Sequence, residues 1–177
     1  MLIRKLLSLA LALSSFLAPR ACDRPHKFFL PAQGFVNDFS NVLDAETRAN
    51  LTALSEELDQ KTHAELVVLT VDSLGGMPIE KYATAIFNEW GIGHKDDNRG
   101  VLILLAKSDR QWRIEVGRGL EVLLPNAKAG EIGAKMVPEL QQGRYSSAVL
   151  QAANDFAGIL ARDRAVSLTP GLQAAER

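Results

Sequence analysis

The sequence predicts an α/β domain built on one mixed, helix-covered sheet, and three observations carry that prediction. Two short runs, AELVVLTVDS over residues 64–73 and VLILLA over residues 101–106, are apolar at odd and even positions alike, as strands buried on both faces must be. A segment with helical spacing lies between them, so strand, helix and strand form a parallel crossover unit. After the second run, KSDR turns the chain into QWRIEVG, where Trp112, Ile114 and Val116 alternate with Arg113 and Glu115. This strand returns antiparallel with one wetter face.

At the N-terminus, Arg4 and Lys5 precede an uncharged apolar run from Leu6 to Ala18, the layout of a secretory signal peptide. A membrane-spanning helix needs about 20 apolar residues, more than this run offers, so export and removal near Ala21 are expected. The domain then works in the periplasm or is secreted. Cys22 is the only cysteine, which rules out a disulfide within the chain. It directly follows the apolar run, and a lipid anchor on its thiol is the rival reading, with Pro19 and Arg20 against it. Loss of residues 1–21 removes Arg4, Lys5 and Arg20, leaving 17 basic against 21 acidic residues and a formal charge of −4. That balance disfavours a nucleic-acid partner. The remaining length suits one core and one domain.

Residues 22–34, with Pro25, Pro31 and Gly34, read as an extended leader to a domain over residues 35–161. Asp44 is placed to cap a helix over about 44–61, Glu46 suits its positive end, and Leu51, Leu54 and Leu58 form its buried stripe. Pro78 opens a second helix in which Ile79, Ala83, Ile86, Phe87 and Trp90 share a face, and Gly91 closes it. Two more helices are expected over 126–140 and 145–161, the latter with Val149, Ala152, Ala153, Phe156 and Leu160 on one side. Residues 162–177 lose periodicity and are expected to fray.

The sequence holds no metalloprotease helix pair, zinc-type cysteine spacing, P-loop or Gly-x-Ser-x-Gly elbow. His26, His63 and His94 read as isolated. The pairs Gly91/Gly93 and Gly117/Gly119 each lack the third glycine of a dinucleotide loop, so no nucleotide cofactor is expected. The informative residues are Asp96, Asp97 and Asn98 before VLILLA, and the turn with Gly117, Arg118, Gly119 and Glu121 after QWRIEVG. The hairpin brings both to one sheet edge. Their hard oxygen donors in glycine-bent loops suit a divalent cation such as calcium, which takes six to eight oxygens in irregular geometry. The same residues also read as solvated turn chemistry, and Glu121 as a surface or first-turn acid.

Asp38 in FVNDFSNVL is either a cap or a further carboxylate of this site. A strand at residues 35–37 parallel to 64–73 would place it at the opposite edge; an irregular leader would not. Arg99, Arg113 and Arg118 flank the loops and either balance the acids or receive an anion beside a metal.

The stretches FVNDFSNVLDAET, GIGHKDDNRGVLILLAKSDRQWRIEVGRGLE and AGEIGAKMVPELQQGRYSSAVLQA resemble the TPM domain family, which includes a plant thylakoid-lumen protein linked to photosystem II repair and many bacterial envelope proteins. The resemblance covers residues 35–161. It implies a three-layer α/β/α sandwich and a calcium or other divalent-metal site, matched here by Asp38, Asp97, Asn98 and Glu121, with Asp96 as a neighbour. It also implies an acid phosphatase activity, reported for the plant member. Many bacterial relatives continue into a transmembrane helix and a glycine-rich tail, whereas this sequence stops at Arg177, so no membrane anchor is expected after processing. Asn126 stands where relatives often carry aspartate, one negative charge fewer near the site. Two functions follow: a periplasmic binding or accessory module for an envelope or membrane-protein partner, or a metal-assisted phosphatase.

Overall fold

The computed structural model describes residues 31–169. The expected signal segment over residues 1–21, the cleavage point near Ala21, the lipid reading of Cys22 and residues 170–177 of the expected tail lie outside them. Among the described residues, no helix is long and apolar enough to cross a membrane.

The elements run β1 (Val36–Asp38), α1 (Ala45–Thr62), β2 (Glu65–Val71), α2 (Ile79–Trp90), β3 (Gly100–Ala106), β4 (Gln111–Val116), α3 (Asn126–Lys135), α4 (Val137–Gln141) and α5 (Tyr145–Asp163), with a 3-10 turn over Arg118–Leu120. The sheet order is β1-β2-β3-β4. β1, β2 and β3 are parallel and β4 returns antiparallel to β3. This is the mixed α/β/α sandwich that the sequence led us to expect.

Strand alternation divides the two apolar runs between the faces. Leu66, Val68, Val101, Ile103 and Leu105 join Leu51, Leu54 and Leu58 of α1 and Val149, Ala153 and Phe156 of α5 in one continuous core. The opposite parity, including Val67, Leu69, Leu102 and Leu104, is equally buried. On that face, α2 packs on β3 and β4 and buries Ile79, Ala83, Ile86 and Phe87. Each of the valine, leucine, isoleucine and phenylalanine side chains among them contributes about 1.5–3 kcal/mol on burial, which is why the pattern of apolar positions dictates the layers.

Asp44 caps α1, its carboxylate accepting the Thr47 N–H at 2.7 Å, while its own N–H donates to Ser146 Oγ of α5 at 3.0 Å. Hydrogen bonding with Ser146 and then with the Thr47 amide holds its carboxyl down at about 2.

Residues 36–38 are a short strand, with Val36 opposite Val68 and Asp38 opposite Thr70, so of the two placements left open for Asp38 the strand is the one found. Two expectations are corrected. The single helix over 126–140 is two helices meeting at Met136. Pro138 has no N–H for the Ala134 carbonyl, and its ring crowds that oxygen. The end expected to fray from residue 162 is docked as far as residue 169. α5 continues to Asp163, Leu168 is buried, and Thr169 donates its N–H to both carboxylate oxygens of Glu57 at 3.1 Å.

Candidate metal centre

In the sheet register Glu65 faces Gly100 and Val101 faces Val116, so the starts of β2 and β3 and the end of β4 form one edge. Residues 94–99 and 117–121 meet there. Gly117 N–H donates to the Gly100 carbonyl at 2.8 Å and Gly119 N–H to the Asn98 carbonyl at 3.1 Å. A Cβ at Gly119 would overlap the Asp97 carbonyl oxygen, and one at Gly117 would overlap the Asn98 carbonyl and side-chain oxygens. The backbones therefore approach as closely as they do only because both residues are glycine. Asn98 takes a left-handed backbone, φ 52°. Asp97 Oδ1 accepts the Arg99 N–H at 3.3 Å.

The structure thus brings Asp97 and Asn98 against the Gly117–Gly119 turn. Exposed Asp96 precedes them, and exposed Glu121 closes the 3-10 turn through its N–H to the Arg118 carbonyl.

Asp38 is not brought to this edge. Paired with Thr70 near the far end of β2, its carboxylate accepts the Val42 and Leu43 N–H groups at 3.0 Å each and the Thr70 hydroxyl at 2.5 Å, and pairs with Arg48 at 3.3 Å. Burial alone would raise its carboxyl; Thr70, the two amides and Arg48 outweigh that and hold it below the usual value. Two of the flanking guanidiniums are also committed. Arg99 pairs with Asp163 at 2.8 Å and Arg113 with Glu115 at 3.3 Å, the charge-balancing role.

His63 and His94 do not stand alone. Among the described residues, Asp59, His63 and His94 are a group whose ligating atoms all lie within 4.8 Å of one another. Asp59 sits in the last turn of α1. His63 caps that helix with a left-handed backbone, φ 56°, its N–H donating to the Asp59 carbonyl at 3.0 Å. His94 lies in the loop before β3, also left-handed at φ 54°.

His94 Nε2 is 2.7 Å from Asp59 Oδ1 and 3.8 Å from Glu65 Oε1, and the two imidazole rings meet edge to face with centroids 4.7 Å apart. The hydrogen bond to Asp59, then the charges of Glu65, Asp59 and Asp97, raise the His94 imidazole above its usual value against the opposing effect of burial. Two imidazoles and a carboxylate are donors that a divalent transition metal accepts. The sequence held a signal for two of the three: Asp59 and His63 are four residues apart at a helix end, where such side chains are neighbours. His94 required the tertiary fold.

Comparison with known proteins gives a consistent picture. A family model, TPM domain, matches residues 36–174. None of the curated proteins matches the chain. Among solved structures, the chain is similar to the N-terminal domain of a protein from P. gingivalis, with 23% identity, a TM-score of 0.70, and coverage of 77% of this chain and 87% of that one. It is similar also to the N-terminal domain of the cg2496 protein from Corynebacterium glutamicum, at 15% identity and a TM-score of 0.58, covering 88% of this chain and 94% of that one. The BA42 protein from the psychrophilic bacterium Bizionia argentinensis is 18% identical with a TM-score of 0.58, covering 71% of this chain and 90% of that one. At these identities the likeness is one of fold.

Proposed function

This chain belongs to the TPM domain family, and we propose that it serves as an exported accessory module in which one edge of the sheet takes a divalent cation and thereby orders a surface for an envelope or membrane-protein partner. The ion is calcium, and its protein donors come from Asp97, Asn98 and Glu121, with Asp96 beside them. The observation that carries this reading is the contact of the Asp97–Asn98 backbone with the Gly117–Gly119 turn, which packs two oxygen-rich loops against each other more closely than a Cβ at either glycine would allow. All four side chains offer hard oxygen ligands, three of them carboxyl groups, and calcium accepts such donors in loops of irregular geometry. Asp38 is left out of the set because its oxygens are already engaged by Val42, Leu43, Thr70 and Arg48.

An accessory role is favoured over phosphatase chemistry by the arginines. Arg99 and Arg113 are paired with Asp163 and Glu115, which leaves Arg118 as the one of the three flanking guanidiniums not drawn into an ion pair among the described residues. A calcium titration followed through backbone amide shifts tests the reading. Saturable shifts in residues 93–100 and 117–121 that disappear in Asp97→Ala are expected. Unmoved loops at saturating calcium would overturn it, and chelator-sensitive hydrolysis of a phosphate ester that is lost in Asp97→Ala would replace the accessory role with an enzymatic one.

A further inference from the structure

We propose that Asp59, His63 and His94 form a second cation site, which shares the 94–99 loop with the oxygen donors but uses none of their side chains, and that it takes a borderline transition-metal dication of the zinc class. It does not rest on the calcium reading, because the donor chemistry differs. Calcium seeks oxygen, whereas two imidazoles with one carboxylate are a donor set typical of zinc.

Three placements converge to make it. Asp59 comes from the last turn of α1, His63 from the residue that caps it, and His94 from the loop that enters β3. Their ligating atoms lie within 4.8 Å of one another. A tetrahedral ion with bonds of about 2.0–2.1 Å holds its ligand atoms roughly 3.4 Å apart. The hydrogen-bonded His94–Asp59 pair, at 2.7 Å, needs to open slightly, and the other donors need to close by little more than a bond length. Exposed His63 and half-buried Asp59 and His94 can do this by side-chain rotation.

The backbone under the site is held independently of any ion. His63 N–H donates to the Asp59 carbonyl at 3.0 Å, Asn98 N–H to the His94 carbonyl at 3.2 Å, and Gly93 N–H to Glu65 Oε2 at 2.6 Å. A fourth ligand is at hand in the other oxygen of Glu65, 3.8 Å from His94 Nε2, or in water from the shallow cavity of about 480 Å³ that Asp59 and His63 line. The cations beside that cavity are already paired. Lys61 is held by Glu57 at 2.7 Å and by the Ser167 carbonyl at 2.9 Å, and Arg164 lies 3.7 Å from Asp163.

Zinc alone, titrated into the full chain and followed through the imidazole nitrogen resonances, tests the site. The His63 and His94 signals should shift together and saturate at one ion per chain, while calcium at the same concentration leaves the His63 signal in place. His63→Asn and His94→Asn should each weaken zinc binding by about tenfold or more. Asparagine accepts the left-handed backbone at both positions, so these variants retain the fold. Shifts confined to His26, or affinity unchanged in both variants, would overturn the site. The wild-type imidazole shifts decide the matter without any variant.

Discussion

His94 Nε2 stands 2.7 Å from Asp59 Oδ1, so the loop before β3 is pinned to the last turn of α1. That loop also carries Asp96, Asp97 and Asn98, and one side-chain contact therefore ties the two candidate cation sites to the same helix end. Asp59→Ala is expected to cost less than about 1 kcal/mol, as partly exposed pairs do, yet to raise amide exchange over residues 93–98 and abolish the imidazole response to zinc. Hydrogen exchange by NMR measures the first effect; unaltered protection in that loop would show that the pin is idle.

Gly117 and Gly119 should tolerate no side chain. Gly119→Ala forces a methyl into the Asp97 carbonyl oxygen and is expected to destabilise by about 1–3 kcal/mol and to blunt the calcium response. Gly130→Ala is the control. A Cβ at Gly130, in α3, meets nothing within 4 Å, and removing a helical glycine should stabilise by about 0.5–1 kcal/mol. Urea melts of the two variants should move in opposite directions.

Asp38 is expected to be structural. Asp38→Ala leaves the Val42 and Leu43 amides and the Thr70 hydroxyl without their acceptor, at a cost of about 1–3 kcal/mol, while calcium-induced shifts at the other edge persist. Loss of those shifts in a folded Asp38→Ala variant would return Asp38 to the ion site.

The cap of α1 sets an acid limit on stability. Asp44 is lowered from 3.8 to about 2 in the folded chain, so its contribution is present above pH 3.8 and fades as pH falls through 2. The carboxylate is exposed, and Asp44→Ala should cost about 1 kcal/mol at neutral pH rather than the full value of the shift. Chemical denaturation at pH 7 and near pH 2 should show the gap between wild type and variant narrowing at the lower pH.

The apolar runs make the sheet legible in the sequence. Residues 64–73 and 101–106 can be buried on both faces only as central strands, and the Leu51, Leu54 and Leu58 stripe admits only a helix. β1 stays undecided in the sequence because three residues are too few for a period to show. The break at Met136 is written in Pro138, whose missing N–H outweighs a continuous helical pattern. The Asp97–Asn98 and Gly117–Gly119 loops are legible as neighbours through the hairpin. The Asp59–His63–His94 group is not, because His94 lies 31 residues beyond His63 and meets it only when β2 and β3 pair in parallel. Asp38 misleads because an aspartate that serves backbone amides has the same letter as one that waits for an ion.

A structure determined with calcium at saturating concentration tests the central claim most directly. An ion about 2.3–2.6 Å from oxygens of Asp97, Asn98 and Glu121, seated against the Gly117–Gly119 turn, is the predicted result. Calcium bound elsewhere on the domain, or loops 94–99 and 117–121 bare of it at saturation, would contradict the account.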